Sequence, residues 1–122
     1  GLISVSVVPN VFGALSQANV KKASADLKSL RSAVEMYRID MQSLPPAQAG
    51  LQALVQQPQG LRRPERYRPG GYIDALPSDP WGNPYILLTP GTDGRDFDII
   101  SYGQDGRPGG NGLDADLFHW QE

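Results

Sequence analysis

The 122-residue sequence contains no cysteine and a single histidine, His119. The absence of cysteine excludes a disulfide framework and gives no information on the redox compartment of the protein. Zinc sites in proteins are built mainly from cysteine and histidine, so this composition also argues against a zinc site formed by the chain alone. Hydrophobic residues make up 39% of the sequence, which is enough for the core of one globular domain.

The sequence also lacks a hydrophobic run of the length that crosses a bilayer, about 20 residues. Its apolar start, "GLISVSVV", is much shorter. We interpret this segment as the end of a longer hydrophobic helix or as a buried segment of the domain. No complete targeting signal is visible.

Common catalytic motifs are absent as well. The sequence contains no G-x-S-x-G, H-E-x-x-H or G-x-x-x-x-G-K-[ST]. His119 lies between two aromatic residues with no serine nucleophile motif nearby. A pair of carboxylates could act as in glycosidases, but the sequence does not give their separation. We therefore predict no enzyme activity and no catalytic residues.

The charges are unevenly distributed. The net charge of −2 and the pI of about 5.3 argue against nucleic-acid binding. Residues 1–68 contain nine Lys and Arg against four Asp and Glu, a net +5, whereas residues 69–122 contain two against nine, a net −7. This split is typical of head-to-tail contact between copies, and also of two separately solvated faces.

Apolar residues between Val11 and Gln42 recur at spacings of three and four, which predicts one long helix with a single buried face. That face consists of Val20, Ala23, Leu27, Leu30, Val34, Tyr37 and Met41. Pro9 and Gly13 are expected to bend the chain just upstream. "LPP" at 44–46 predicts the end of the helix, because residues before proline avoid the α region.

The remainder of the chain predicts a short second helix and then a small sheet. The second helix is expected over residues 47–57, and its buried contacts are Leu51, Leu54 and Val55. After a loop rich in proline and glycine, "YILL" (85–88) and "FDII" (97–100) predict an antiparallel hairpin, and "DLFHW" (116–120) predicts a third strand. This order predicts a single α+β domain, divided into 1–43, 44–84 and 85–122.

The segment "SYGQDGRPGGNGLDADLFHW" combines flexible backbone with negative charge. Asp105, Asp114 and Asp116 offer carboxylate oxygens, and the glycines allow carbonyls to turn inward. Calcium takes about six to eight such oxygens in variable geometry, whereas magnesium requires a tighter octahedron. A solvated pair of Asp-Gly turns explains the pattern equally well. The EF-hand motif is absent, and the single match to a calcium β-helix repeat cannot build a β-helix.

Several motifs together resemble the major pseudopilins of bacterial type II secretion systems, a family of type IV pilin-like proteins. They extend from Val7 to Trp120 and are "VVPN", "AVEMYRIDMQSLP", "AGLQALVQQP", "GGYIDALPSDPWGNPYILLTPG", "FDIISYGQDG" and "GGNGLDADLFHW". The combination of "LPSDPWGNPY" with the C-terminal "DG…DAD…W" is the most specific part. The leader peptide and N-terminal glutamate of the family would lie before Gly1.

The resemblance implies a type IV pilin-like fold, in which a long N-terminal helix packs on a sheet of about three antiparallel strands. It implies polymerisation into a periplasmic pseudopilus that drives export of folded proteins across the outer membrane. The full-length protein would be anchored in the inner membrane by a helix that precedes Gly1, with this domain in the periplasm. Its partners would be other copies, minor pseudopilins, the inner-membrane assembly platform, the secretin and exported proteins.

The resemblance also implies structural calcium in the C-terminal loop, here residues 102–116. The implied ligands are the side chains of Asp105, Asp114 and Asp116 and carbonyls around Tyr102, Arg107 and Gly110. The loop varies in length within the family, so Asp114 and Asp116 remain alternatives for the second main ligand. The ion would tie the end of the chain to the sheet.

Alternatives of the same class are a minor pseudopilin and a type IV pilus subunit. Many adhesive pilins close their C-terminal loop with a disulfide, which this cysteine-free chain cannot form, and this favours the major pseudopilin.

Two further motifs have competing interpretations. In "DPWGNPY", Trp81 and Tyr85 could form a sugar-binding platform, but a turn whose aromatic rings fill the edge of the core is favoured, and Trp120 is expected to anchor the calcium loop. "RRPERYR" (62–68) suits a phosphate or nucleic-acid site, an exposed loop, or a contact with the acidic C-terminal loop of a neighbouring subunit.

Overall fold

The computed structural model describes the backbone of residues 2–103 and 117–118, and the side chains of 17–103 and 117. Its helix and strands are α1 (Leu2–Met41), β1 (Ile86–Leu88), β2 (Asp98–Ser101) and β3 (Leu117–Phe118). Two short 3-10 helices, Gly50–Leu54 and Pro64–Arg66, lie between α1 and β1. The predicted α+β order of a long helix followed by a small antiparallel sheet is confirmed.

Helix α1 starts earlier than predicted. It begins at Leu2, so Pro9 and Gly13, at which we expected the chain to bend upstream of the helix, both lie within it. An interior proline removes one backbone hydrogen bond and costs about 3 kcal/mol. The helix continues past this position because each added residue on either side contributes a further bond to a helix that is already nucleated.

The C-terminal end of α1 lies where the proline pair predicted it. The helix ends at Met41, and Gln42 adopts a left-handed conformation with φ of 58°. The Gln42 N–H still donates to the Arg38 carbonyl at 2.8 Å, which closes the last turn. Pro45 and Pro46 then prevent the chain from resuming the helix.

The predicted apolar face of α1 is confirmed over most of its length. Five of its members are at most 1% exposed: Ala23, Leu27, Leu30, Val34 and Tyr37. Val20, one turn earlier, is 37% exposed. Among the described side chains of α1, which begin at residue 17, the buried apolar positions therefore begin at Ala23. Burial of a leucine or valine side chain stabilises the fold by about 1.5–3 kcal/mol, so this face is the main attachment of the helix.

The predicted second helix over residues 47–57 is wrong in length and type, because only Gly50–Leu54 is helical and it is a 3-10 helix. The carbonyl of Leu54 accepts from Tyr72 N–H at 2.7 Å. In an α-helix that carbonyl would accept from residue 58, which is a proline without an N–H. Of its predicted contacts, Leu51 and Leu54 are buried, and Val55 is partly buried.

The three strands form one antiparallel sheet with β2 in the centre. Ile86 of β1 pairs with Ile100, and Ser101 pairs with Leu117 of β3. The strand predicted at 85–88 is observed as 86–88, the strand predicted at 97–100 lies one residue later, and the predicted third strand is confirmed as β3. Every residue of β2 is buried, as expected for a central strand in contact with α1.

A polar contact fixes the position of α1 beside the segment that leads into β1. The hydroxyl of Tyr85 donates to Oδ2 of Asp26 at 2.7 Å. Lys22 pairs with the same carboxylate at 2.6 Å and donates to the carbonyl of Ser78 at 3.1 Å. The polar side of α1 therefore contributes to the packing of the domain.

Candidate functional site

The predicted calcium loop lies mostly outside the described residues. Of its predicted ligands only Tyr102 is described, and it is half-buried directly after β2. The other predicted ligands lie outside the described residues: Asp105, Arg107, Gly110, Asp114 and Asp116. What the structure shows of this site is its base, where residues 102–116 leave and rejoin the sheet.

The two ends of this loop are held side by side by the sheet. Residue 102 follows Ser101 of β2, and residue 116 precedes Leu117 of β3. Ser101 and Leu117 are direct partners in the antiparallel register. The sheet therefore closes the loop at its base, which removes part of the entropy cost of bringing distant ligands together.

Asp79 anchors this base from the preceding turn. Its side chain is buried, with 4% of the residue exposed. Oδ1 accepts from the backbone N–H groups of Trp81 and Asn83 at 3.1 and 2.7 Å. Oδ2 accepts from the hydroxyl of Ser101 at 2.9 Å. One buried carboxylate thus joins the turn over residues 79–83 to the end of the central strand.

Gly103 extends this network to the first described residues of the loop. Its N–H donates to Oγ of Ser101 at 3.3 Å, and its carbonyl accepts from Nδ2 of Asn83 at 3.4 Å. Gly103 has φ of 78°, a conformation that favours glycine. The chain therefore leaves β2 through a turn whose direction is set by contacts to the 79–83 turn.

Sequence reasoning did not identify Asp79 and Asn83 as the support of this loop. A usable signal was present, since an aspartate that precedes Pro, Gly and Asn is typical of a turn capped by its own side chain. The part that could not be read from the sequence is the long-range bond from Ser101, because it depends on the packing of the turn against β2.

The aromatic residues of "DPWGNPY" are structural where they are described. Tyr85 is 5% exposed and belongs to the hydrophobic core, so its ring is not available as part of an exposed sugar-binding platform. Burial raises the pKa of the Tyr85 hydroxyl well above its ordinary range, and the hydrogen bond to Asp26 adds to this effect. Trp81 is half-buried, and Trp120 lies outside the described residues.

A second buried carboxylate, Asp98, organises the turn between β1 and β2. It accepts from the N–H and the hydroxyl of Thr92, both at 2.9 Å, and from Nε of Arg95 at 2.9 Å. Burial alone would raise its pKa, but the hydrogen bonds from Thr92 and the Arg95 guanidinium outweigh it and hold the pKa below the ordinary value of 3.8.

The arginine-rich segment 62–68 is divided between surface and core. Arg62, Arg63 and Arg66 are exposed. Tyr67 is buried and donates its hydroxyl hydrogen to the carbonyl of Ala53 at 2.8 Å, so its ring is not available for stacking on a base. Arg68 pairs with Asp40 at 3.3 Å. Three of the four arginines are thus exposed, as both the exposed-loop interpretation and a contact with a neighbouring subunit require.

The described polar side chains at this site hold its backbone in place through hydrogen bonds. The Ser101 hydroxyl is buried and donates to the Asp79 carboxylate, which also accepts from two backbone N–H groups of the 79–83 turn. Within residues 2–103 and 117–118, no group of three or more Asp, Glu, His or Cys converges to hold a metal ion. No helix in the same residues combines the length and apolarity needed to span a membrane.

Residues 10–120 match the family model described as type II secretion system (T2SS), protein G. The type II secretion system core protein G of Pseudomonas aeruginosa is 44% identical over 120 residues, which cover 98% of this chain and 84% of that protein. The corresponding protein of Aeromonas hydrophila is 43% identical over 120 residues, which cover 98% of this chain and 81% of that protein.

The likeness extends to a solved structure. The crystal structure of the major pseudopilin from the type 2 secretion system of enterohaemorrhagic Escherichia coli matches with a TM-score of 0.77 at 44% sequence identity. The match covers 92% of this chain and 95% of that chain. The resemblance of the sequence motifs to pseudopilins is therefore confirmed at the level of sequence and of fold.

Proposed function

Because this chain belongs to the type II secretion system protein G family, we propose that it is the major pseudopilin of a type II secretion system. In this role it polymerises into a periplasmic pseudopilus that drives the export of folded proteins across the outer membrane. The match to a solved major pseudopilin, in sequence and fold over nearly the full length of both chains, carries the proposal.

The form of α1 supports a role in a fibre. Residues 2–20 contain no Asp, Glu, Lys or Arg, and the helix extends through all of them. Among the described side chains of the helix, from residue 17 on, the buried apolar face begins at Ala23. An uncharged helical extension is suited to pack against the same segment of neighbouring copies, because apolar surface gains stability when it is removed from water.

The subunit has a structural role and no catalytic one. Its described buried polar side chains, Asp79, Asp98 and Ser101, are all engaged in hydrogen bonds that hold turns and strands. The full-length protein sits in the bacterial inner membrane through a helix preceding Gly1, with this domain in the periplasm. It works with minor pseudopilins, the inner-membrane assembly platform, the secretin and the exported proteins.

Calcium in the C-terminal loop is the second part of the proposal. Asp105, Asp114 and Asp116 would provide carboxylate oxygens, and carbonyls around Tyr102, Arg107 and Gly110 would complete the site. The base of the loop fits such an ion, since the register places its two ends together and glycine at 103 turns the backbone. A bound calcium ion would neutralise three neighbouring carboxylates that otherwise repel one another.

Complementation tests the proposed function. Residues 1–122 are joined to the N-terminal segment of the P. aeruginosa core protein G and expressed in a strain that lacks that protein. We expect the chimera to restore secretion of the exported proteins into the medium and, when overproduced, to form fibres that can be sheared from the cells. The strain with an empty plasmid gives the level of secretion without the protein, and the strain with its own core protein G gives the full level.

A parallel strain lacking one minor pseudopilin separates the alternatives. Secretion restored only in that strain would identify the chain as a minor pseudopilin. Failure in both strains, with the chimera stable in the membrane fraction, would contradict a role in type II secretion.

A further inference from the structure

A basic cavity lies beside the C-terminal end of α1. Its volume is about 470 Å³. Its lining combines the arginines Arg62, Arg63 and Arg66 with the end of α1 and the residue before the arginines: Met41, Gln42, Ser43 and Leu61. Three guanidinium groups therefore share a concave surface with apolar side chains.

The arginines of this cavity differ from most others in the described part of the chain. Arg38, Arg68 and Arg95 each contact a carboxylate, at 2.7, 3.3 and 2.9 Å. Among the residues that the structure describes, no carboxylate lies within ion-pair distance of the cavity arginines. The cavity thus concentrates positive charge that the described residues of the same molecule do not neutralise.

The local negative charges are too few to balance the cavity. Glu65 is the one acidic residue in segment 62–68, against four arginines. Asp40 is already engaged, since it pairs with Arg68 and accepts from the hydroxyl of Tyr72 at 2.8 Å. The end of α1 adds the equivalent of about half a negative charge. A positive excess remains, and an anionic partner would relieve the mutual repulsion of the three guanidinium groups.

The arrangement of the arginines suits a carboxylate. The 3-10 helix Pro64–Arg66 fixes their spacing, because the Arg66 N–H donates to the Arg63 carbonyl at 3.0 Å. A guanidinium presents a planar fork of donors that matches a carboxylate in two parallel hydrogen bonds. Met41 and Leu61 add apolar surface to the lining.

We propose that this cavity docks an acidic segment from residues 69–122 of a second copy of this chain. The two halves are complementary in charge, since residues 1–68 carry +5 and residues 69–122 carry −7. The contact is heterologous, with the basic half of one copy against the acidic half of the next, which is the kind of interface that builds an open filament. The inference rests on the proposed function and adds the surface through which the globular domains meet.

Zero-length cross-linking tests the contact in assembled fibres of the full-length protein. Arg62→Lys, Arg63→Lys and Arg66→Lys keep the charge of the cavity and introduce amines, which a carbodiimide couples only to carboxylates in direct contact. The native lysines, Lys21, Lys22 and Lys28, all lie on α1, so cross-links from the cavity are identified by peptide mapping. The matched control is Arg31→Lys, because Arg31 is also exposed and makes no ion pair with a described residue, but lies outside the cavity.

We expect the three variants to yield covalent dimers in which the introduced amine is joined to an acidic residue within 69–122 of the other copy. The yield of dimers should exceed that of the control about fivefold. This ratio corresponds to about 1 kcal/mol, the upper end of the usual contribution of an exposed ion pair. The yield should fall when salt rises from about 0.15 M to about 1 M, since the Debye length drops from about 8 Å to about 3 Å.

Dimers no more abundant than in the control, or cross-links that map to residues 1–68 or to a different protein, would overturn the inference. The assay also separates this result from the proposed function. Fibres that assemble without cavity cross-links reject only the docking site. Wild-type protein that forms no fibres and restores no secretion rejects the proposed function.

Discussion

The hydroxyl of Ser101 donates a hydrogen bond to Oδ2 of Asp79 at 2.9 Å, and the two residues are 0% and 4% exposed. This bond connects positions that are far apart in sequence: the end of β2 and the turn over residues 79–83. Because Gly103 also bonds to Ser101 and Asn83, the base of the C-terminal loop and this turn form one hydrogen-bonded unit. The orientation of the loop at its base is thus determined by a buried carboxylate outside the loop.

Replacement of Asp79 should destabilise the domain strongly. Asp79→Ala leaves the N–H groups of Trp81 and Asn83 and the hydroxyl of Ser101 without their acceptor. A buried polar group left unsatisfied costs about 1–3 kcal/mol, so we expect the free energy of unfolding to fall by about 3 kcal/mol or more. Urea denaturation followed by circular dichroism measures this change.

The matched control is Asp74→Ala, because Asp74 is an exposed aspartate outside the 79–83 turn. Its effect should stay within about 0.5 kcal/mol. Equal effects of the two substitutions would show that Asp79 is not the anchor described above.

The core contains a tyrosine whose hydroxyl should be dispensable. Tyr37 is fully buried in an edge-to-face cluster with Tyr67 and Tyr72, and its hydroxyl has no hydrogen-bond partner among the described residues. Tyr37→Phe removes an unsatisfied polar group and should leave stability unchanged or raise it by about 1 kcal/mol. Tyr67→Phe removes the hydrogen bond to the Ala53 carbonyl and should lower the stability by about 1 kcal/mol. Thermal unfolding of the pair measures both, and a destabilised Tyr37→Phe would reveal a partner for that hydroxyl.

Alkaline pH should destabilise the protein through Tyr85. Burial, followed by the bond to Asp26, raises the pKa of this hydroxyl far above its ordinary value of 10.0, and burial likewise raises the pKa of Tyr72 to about 12. A pKa that is higher in the folded than in the unfolded state gives stability that is complete below about pH 10 and is lost as pH rises above it. Tyr85→Phe should therefore show a weaker fall in unfolding free energy above about pH 10 than wild type. Parallel pH profiles of the two proteins would contradict this.

Acid should remove the contribution of Asp98. Its pKa is held below 3.8 by the hydrogen bonds from Thr92 and Arg95, which outweigh the opposite effect of burial. A pKa lowered in the folded state gives stability that is complete above the unfolded pKa and is lost as pH falls through the folded one. Asp98→Asn should cost about 1.5–3 kcal/mol near neutral pH, the usual contribution of hydrogen bonds to a charged group. The difference in unfolding free energy between Asp98→Asn and wild type should narrow below about pH 4. A constant difference across the acid range would contradict a stabilising role of the ionised Asp98.

The helix and strands were predictable because their signals are local. The buried positions from Ala23 to Tyr37 follow from a spacing that only a helix places on one face. The three strands follow from short runs of β-branched and aromatic residues with turn residues between them. These patterns do not depend on what the elements pack against.

The predictions from sequence that were wrong or missing concern places where tertiary contacts determine the local structure. Leu51 and Leu54 are spaced as in a helix, but the carbonyl of Leu54 bonds to Tyr72, and the segment remains a 3-10 helix. The anchoring role of Asp79 was missed because its partner Ser101 is brought to it only by the fold. At the candidate site, the ligand types are a prediction from sequence, and the structure describes the support at the base of the loop.

Calcium should stabilise this domain through the C-terminal loop. An ion that binds the folded state alone adds about 2.7 kcal/mol when its concentration is 100 times the dissociation constant, so wild type should melt at a higher temperature in millimolar calcium than in chelator. Asp105→Ala and Asp114→Ala should lower the melting temperature and abolish this difference, and magnesium should replace calcium poorly because it requires a tighter octahedron. Asp74→Ala is the matched control, since Asp74 is an exposed acidic residue of the same half of the chain, outside the loop. Because the sheet holds the loop ends together at Ser101 and Leu117, part of the entropy cost of bringing the ligands together is met without the ion. Identical melting of wild type with calcium and with chelator would contradict a structural ion in this loop.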